Sequence, residues 1–134
     1  IKILEKNLSK NHGKIICISS ICGIEYIKGA PITYSVSKAA LNAFIRFYSK
    51  VLGPKGITIN GIAPGNMLFK GSVWEKKLKK NKKQTLSLIN QEVSSKVLGE
   101  PKTISKFIET IIKDQSKFIN GSIFTIDGGQ IRSL

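Results

Sequence analysis

The chain has 134 residues, 41% of them hydrophobic, which suits one domain of ordinary size or a piece of a larger one. Its net charge of +14 comes mostly from lysines, the only arginines being Arg46 and Arg132, and the densest run, "EKKLKKNKK" over 75–83, has no aromatic residue beyond Trp74; solvated lysines are therefore expected rather than a specific nucleic-acid surface. Cys17, Cys22 and the single histidine His12 offer neither a disulfide framework nor a metal-ligand spacing, no apolar run is long enough to cross a membrane, and a reducing cytoplasm is the expected compartment.

The opening "IKILEKNLSKNHGK" reads as the last turns of a helix, with Ile1, Leu4 and Leu8 at helical spacing and Asn11-His12-Gly13 as the stop. A domain rarely starts on a helix tail, so an N-terminal portion is expected to precede this segment. Residues 14–20, "KIICISS", form a short β-branched apolar run expected as a buried strand. After a loop with Gly23, Gly29 and Pro31, "TYSVSKAALNAFIRFYSKVLGPKG" places Val36, Ala39, Ala40, Ala43, Phe44, Phe47 and Val51 at helical spacing and stops at Gly53-Pro54. Strands are expected again over 57–65, "ITINGIAPG", and 121–129, "GSIFTIDGG". Between them Pro101 opens a helix with Ile104, Phe107, Ile108, Ile111 and Ile112 on one stripe. The stretch 66–98 departs from this pattern: "GSVWEKKL" looks like a helix start capped by Ser72, followed by an amphipathic lysine-rich stretch with Leu86, Ile89 and Val93, the kind of excursion that serves as a lid. Asn60 is expected to be a structural hydrogen-bonder, and Asp127-Gly128-Gly129 a tight turn.

The alternation strand, helix, strand, helix, strand predicts an α/β fold, with parallel strands joined by right-handed crossovers and helices on both faces. Ligands of such sheets sit outside the carboxyl ends of the strands, where Ser20, Pro64 and Gly65 fall.

Tyr34 and Lys38, four apart at the start of a helix, share one face. The spacing alone is common on solvated helix edges. An unperturbed tyrosine titrates near 10, too high for an efficient base at neutral pH, and a close ammonium favours its anion. With Ser20 at the strand end, able to orient an oxygen that exchanges its proton, the three residues make a proton relay for an alcohol and a carbonyl.

In order and approximate spacing, "ISS", "YSVSKAALNAF", "GITINGIAPG" and "GSIFTIDGG" resemble the short-chain dehydrogenase/reductase family over nearly the whole chain. The resemblance implies the C-terminal, catalytic half of a Rossmann-type doubly wound parallel sheet, with the N-terminal cofactor-binding half lying outside 1–134 and this segment inactive alone. It implies an NAD- or NADP-dependent oxidoreductase acting on a secondary alcohol or carbonyl. In that reading Tyr34 is the general acid/base, Lys38 assists it and holds the nicotinamide ribose, and Ser20 orients the reacting oxygen. Pro64, Gly65 and the backbone of Met67 would meet the carboxamide. The small-residue face Ala39, Ala40 and Ala43 resembles one that the family buries in a homodimer or homotetramer. Thirteen residues separate Ser20 from Tyr34, one more than is usual, so Ser19 is the runner-up, and Phe69 stands where the family often has threonine. The stretch "APGNMLFKGSVWEKKL" further resembles members from bacterial surface-sugar and legionaminate-type pathways, which would make the substrate a sugar or nucleotide-sugar. The alternative reading is a non-catalytic basic fragment or binding module that uses its lysines to bind a partner or nucleic acid.

Overall fold

The computed structural model describes residues 1–133. The initial helix α1 spans Glu5–Lys10 after a 3-10 turn, and His12 stops it with the left-handed φ of 49°. Strand β1 (Lys14–Ile18) leads through a 3-10 turn, Ile21–Gly23, to the long helix α2 (Ile32–Leu52). Strand β2 (Thr58–Pro64) follows, then α3 (Val73–Lys80), α4 (Lys82–Glu92), α5 (Pro101–Lys113) and β3 (Ile123–Ile126).

The three strands are parallel in the order β1-β2-β3, with Ile16 opposite Asn60 and Ala63 opposite Thr125. Side chains on a strand alternate between faces, and here the alternation sorts two cores. Ile15, Cys17, Ile57, Ile59 and Ile123 pack with Ile45 and Leu52 of α2. Ile16, Ile62, Phe124 and Ile126 pack with Ile104 and Ile111 of α5. The chain is thus wound on both sides of the sheet, as the alternation of elements predicts. At Gly61 the packing leaves no room for a side chain: a Cβ there would stand 2.9 Å from Ile45 Cδ1 of α2 and 2.7 Å from Ile123 Cδ1.

The structure corrects the apolar stripe of α2. The buried positions are Asn42, Ile45, Ser49 and Leu52, one face at helical spacing, while Val36, Phe44, Phe47 and Val51 are exposed, Phe47 by 75%. A helix with apolar residues on more than one face does not reveal from spacing alone which face meets the sheet. Similarly, Ile112 of the α5 stripe and Leu86 of α4 are exposed, whereas Ile104, Ile111, Ile89 and Val93 are buried. β1 stops two residues before Ser20, yet Ser19 N–H still donates to Ile62 O, so the serine pair continues the line of the strand.

Asn60, fully buried, donates to Ile119 O at 2.9 Å and accepts from Ser122 N–H at 3.0 Å, which pins the approach to β3. Its expected structural role is the observed one. Residues 66–98 form a two-helix excursion; Ser72 caps α3 by accepting from Glu75 N–H at 3.0 Å. No helix of the described residues is long and apolar enough to cross a membrane, and those residues contain no cluster of metal-ligating side chains.

Candidate active site

The carboxyl ends of the strands gather the predicted residues. Lys38, on the second turn of α2, extends its Nζ to Ile18 O at 2.8 Å, the last carbonyl of β1. In parallel pairing alternate residues face one neighbour, and since Ser19 N–H reaches β2, the Ile18 carbonyl faces away from it and is free for the lysine. The same Nζ lies 5.6 Å from the centroid of the Tyr34 ring, so tyrosine and lysine meet as the four-residue spacing predicts. Tyr34 is 42% exposed, open to a ligand.

The two serines have different environments. Ser19 is buried and donates to Asn42 Oδ1 at 2.5 Å; Asn42 Nδ2 in turn donates to Gly23 O at 3.1 Å. Ser20 caps the following 3-10 turn, its Oγ accepting from Cys22 N–H at 3.2 Å. No hydrogen bond among the described residues uses the Ser20 hydroxyl proton, and none joins Ser20 to Tyr34 directly. Ser19 is engaged in structure, and Ser20 keeps a donor in hand.

Two residues that sequence reading passed over position these groups. Asn42 bridges the residues on either side of Ser20. Gly23 admits the loop onto α2: a Cβ there would stand 2.6 Å from the Lys38 carbonyl carbon and 2.8 Å from Ala39 N. A buried asparagine two turns into an apolar-looking helix is a signal that a polar partner waits nearby; the glycine gives no such signal, because its contact is with distant backbone.

Pro64 ends β2, and Gly65 N–H donates to Ile126 O at 2.9 Å. Met67 makes an isolated parallel bridge with Gly99 through Leu68 N–H to Gly99 O at 2.8 Å and Gly99 N–H to Asn66 O at 2.9 Å. Neither bond uses the amide or carbonyl of Met67, which by the geometry of a parallel bridge face the other way. Its side chain packs into the α5 core. A cleft of about 420 Å³ beside α5 is lined by Gly65, Met67, Gly99, Asp127 and others, but not by Ser20, Tyr34 or Lys38.

The Asp127 turn is held as a tight turn should be, the carboxylate accepting from the amides of Gly129, Gln130 and Ile131 at 2.8–3.0 Å. Ser95 N–H and Ser94 Oγ, at the end of the 66–98 excursion, donate to Gly128 O and Gly129 O. Beyond the turn, Glu25 Oε2 accepts from Arg132 N–H at 3.0 Å and Ser133 N–H at 2.8 Å. Hydrogen bonds from Ser133, then from the Arg132 amide, hold the Glu25 carboxyl below the ordinary glutamate range.

A family model described as enoyl-(acyl carrier protein) reductase matches residues 1–130. Among curated proteins, isoepoxydon dehydrogenase patN of Penicillium expansum is 33% identical over 115 residues, covering 86% of this chain and 44% of the relative. The 3-oxoacyl-[acyl-carrier-protein] reductase FabG of Buchnera aphidicola is 35% identical over 130 residues, covering 96% and 50%. Among solved structures, L-sorbose reductase of Gluconobacter frateurii complexed with NADPH and L-sorbose superposes with a TM-score of 0.86 at 25% identity, covering 99% of this chain and 53% of that one. A 4-hydroxyisoleucine dehydrogenase mutant complexed with NADH and succinate gives 0.80 at 31% identity, covering 96% and 52%. The chain therefore spans about half the length of the relatives it matches. Its parallel sheet wound on both sides, its Tyr34 and Lys38 at the strand ends and the match over 1–130 make this chain a member of the short-chain dehydrogenase/reductase family.

Proposed function

We propose that the protein of which these residues form part is an NAD- or NADP-dependent oxidoreductase interconverting a secondary alcohol and a carbonyl. The observation that carries the reading is the position of Lys38 Nζ, held by Ile18 O at the end of β1 and 5.6 Å from the Tyr34 ring. Tyr34 gives a proton to, or takes it from, the substrate oxygen, and the neighbouring ammonium stabilises the phenolate that the transfer leaves. Ser20, whose proton no bond among the described residues consumes, orients that oxygen.

The residues present fit the nicotinamide-ribose end of a dinucleotide. Lys38 offers an ammonium to a ribose hydroxyl, and the unspent amide and carbonyl of Met67, following Pro64-Gly65, match the donor and acceptor of a carboxamide. When bound, the nicotinamide supplies or receives the hydride. The excursion 66–98 leaves directly after Gly65 and is clipped at its base by the Met67–Gly99 bridge, which suits a lid over the substrate. On α2, Ile32, Val36, Phe47 and Val51 form an exposed apolar stripe alongside Ala39, Ala40 and Ala43, and this supports burial against a second copy in a homodimer or homotetramer.

The relatives named above are an isoepoxydon dehydrogenase, a 3-oxoacyl-[acyl-carrier-protein] reductase, an L-sorbose reductase and a 4-hydroxyisoleucine dehydrogenase, so family membership does not choose a substrate. None is named for a surface-sugar reaction. A sugar remains one class to assay beside simple ketones and acyl thioesters.

In the full-length protein Tyr34→Phe should lower turnover by at least about a hundredfold with folding and cofactor binding retained, because only the titrating oxygen is removed. Lys38→Met should lower turnover and weaken cofactor binding together. Turnover of Tyr34→Phe within tenfold of wild type would remove the basis of the assignment.

A further inference from the structure

Five successive backbone amides, from Gly129 to Ser133, are held by two carboxylates, the first three by Asp127 and the last two by Glu25. Asp127 stands at the carboxyl end of β3, with Gly65 packed against it so closely that a Cβ would come within 2.7 Å of Asp127 Cα. Glu25 lies beyond the end of β1, five residues after Ser20, and its own amide donates to Ile21 O at 3.0 Å, closing the turn that Ser20 caps. Since β2 separates β1 from β3, the segment 127–133 crosses the carboxyl end of the central strand to reach Glu25. Midway, Gln130 Oε1 is buried with no donor among the described residues, an acceptor left open on the crossing segment.

We propose that Glu25 is a positioning residue, its carboxylate clasping the strap 129–133 to the loop that carries Ser20 and so fixing that loop and the strap as one wall of the substrate site. The clasp needs acceptor capacity at a single oxygen, since both amides converge on Oε2. An ionised carboxylate meets that demand better than an amide oxygen, because charge-assisted hydrogen bonds are roughly twice as strong as neutral ones. The part of the inference that concerns substrate rests on the oxidoreductase reading above; the clasp itself does not.

The test compares wild type, Glu25→Gln, Glu25→Asp and Tyr34→Phe in the full-length protein, by amide hydrogen exchange and by NADH- or NADPH-dependent reduction of a panel of small ketones, ketoses and acetoacetyl thioesters. Glu25→Gln should speed exchange by about threefold or more both at 132–133 and in the loop 21–30, with KM rising several-fold and kcat changing by less than about threefold. Glu25→Asp should recover part of both effects. Tyr34→Phe should leave exchange at wild-type rates. Faster exchange confined to 132–133, with 21–30 and KM unmoved, would reduce the contact to a tail tether and overturn the positioning role, as would no change in exchange anywhere. Should no variant reduce any carbonyl, the oxidoreductase reading fails while the exchange rates still decide whether the clasp holds the loop.

Discussion

Asn42→Ala tests how the serine turn is held. Asn42 bonds Ser19 on one side of Ser20 and Gly23 on the other, so the substitution strips a partner from the buried Ser19 hydroxyl and from the Gly23 carbonyl together. An orphaned buried polar group costs about 1–3 kcal/mol, but here the Ser19 hydroxyl retains a long contact of 3.5 Å with Lys38 O and Gly23 is only half-buried. A loss of about 2–3 kcal/mol is therefore expected. Ser19→Ala leaves one Asn42 acceptor unpaired while Asn42 keeps its bond to Gly23, and should cost about 1–2 kcal/mol. The double substitution should cost less than the two losses combined by about 1 kcal/mol, since both remove the same bond. Urea denaturation of the full-length protein, read as midpoint shifts at unchanged slope, measures all three. Turnover divides the serines in a second way: Ser19→Ala should stay within about threefold of wild type where Ser20→Ala falls far below it. An Asn42→Ala variant within about 0.5 kcal/mol of wild type, or strict additivity, would refute the bridge, and a reversal of the two serine phenotypes would transfer the orienting role to Ser19.

Two further outcomes can be checked directly. Because Glu25 titrates below the ordinary glutamate range when folded, the clasp is fully present above that range and is lost as pH falls through the lowered value; exchange at 132–133, corrected for intrinsic rates, should be flat from neutrality down to the ordinary glutamate range, rise as pH falls from there to the lowered value, and level off below it. Phe47→Glu, on the 75%-exposed ring of α2, should leave the thermal midpoint of the subunit nearly unchanged and convert oligomer to smaller species by light scattering; unchanged mass would show that this stripe is not the contact.

Much of this arrangement is legible in the residue order, because local chemistry and tertiary contact agree where it is. Alternating apolar runs and helices specify the parallel sheet, the Ser72 cap starts α3 as read, and the Asp127 turn is set by its own side chain. Tyr34 and Lys38 meet because a helix brings four-apart residues together. The misplaced face of α2 fails for the opposite reason: Ala, Phe and Val are apolar on the outer side too, while the inner side carries Asn42, whose partner Gly23 lies 19 residues away, and Ser49, whose hydroxyl turns back onto Arg46 O within the helix. The Glu25 clasp spans 107 and 108 positions and has no periodicity to announce it. What is invisible in sequence is this class of contact, a single side chain meeting remote backbone.

Gly23 carries the same lesson into any attempt to move the chemistry elsewhere. Its missing side chain lets the serine turn rest on the α2 backbone at Lys38 and Ala39, so the spacing between the Ser20 turn and the lysine is set by an atom that is not there. A graft of Ser20, Tyr34 and Lys38 onto another strand-helix scaffold would reproduce every reactive group and still hold the two arms apart unless it also carried the glycine. In a saturation screen scored by activity, this inert position should therefore tolerate as few replacements as the residues that handle the proton.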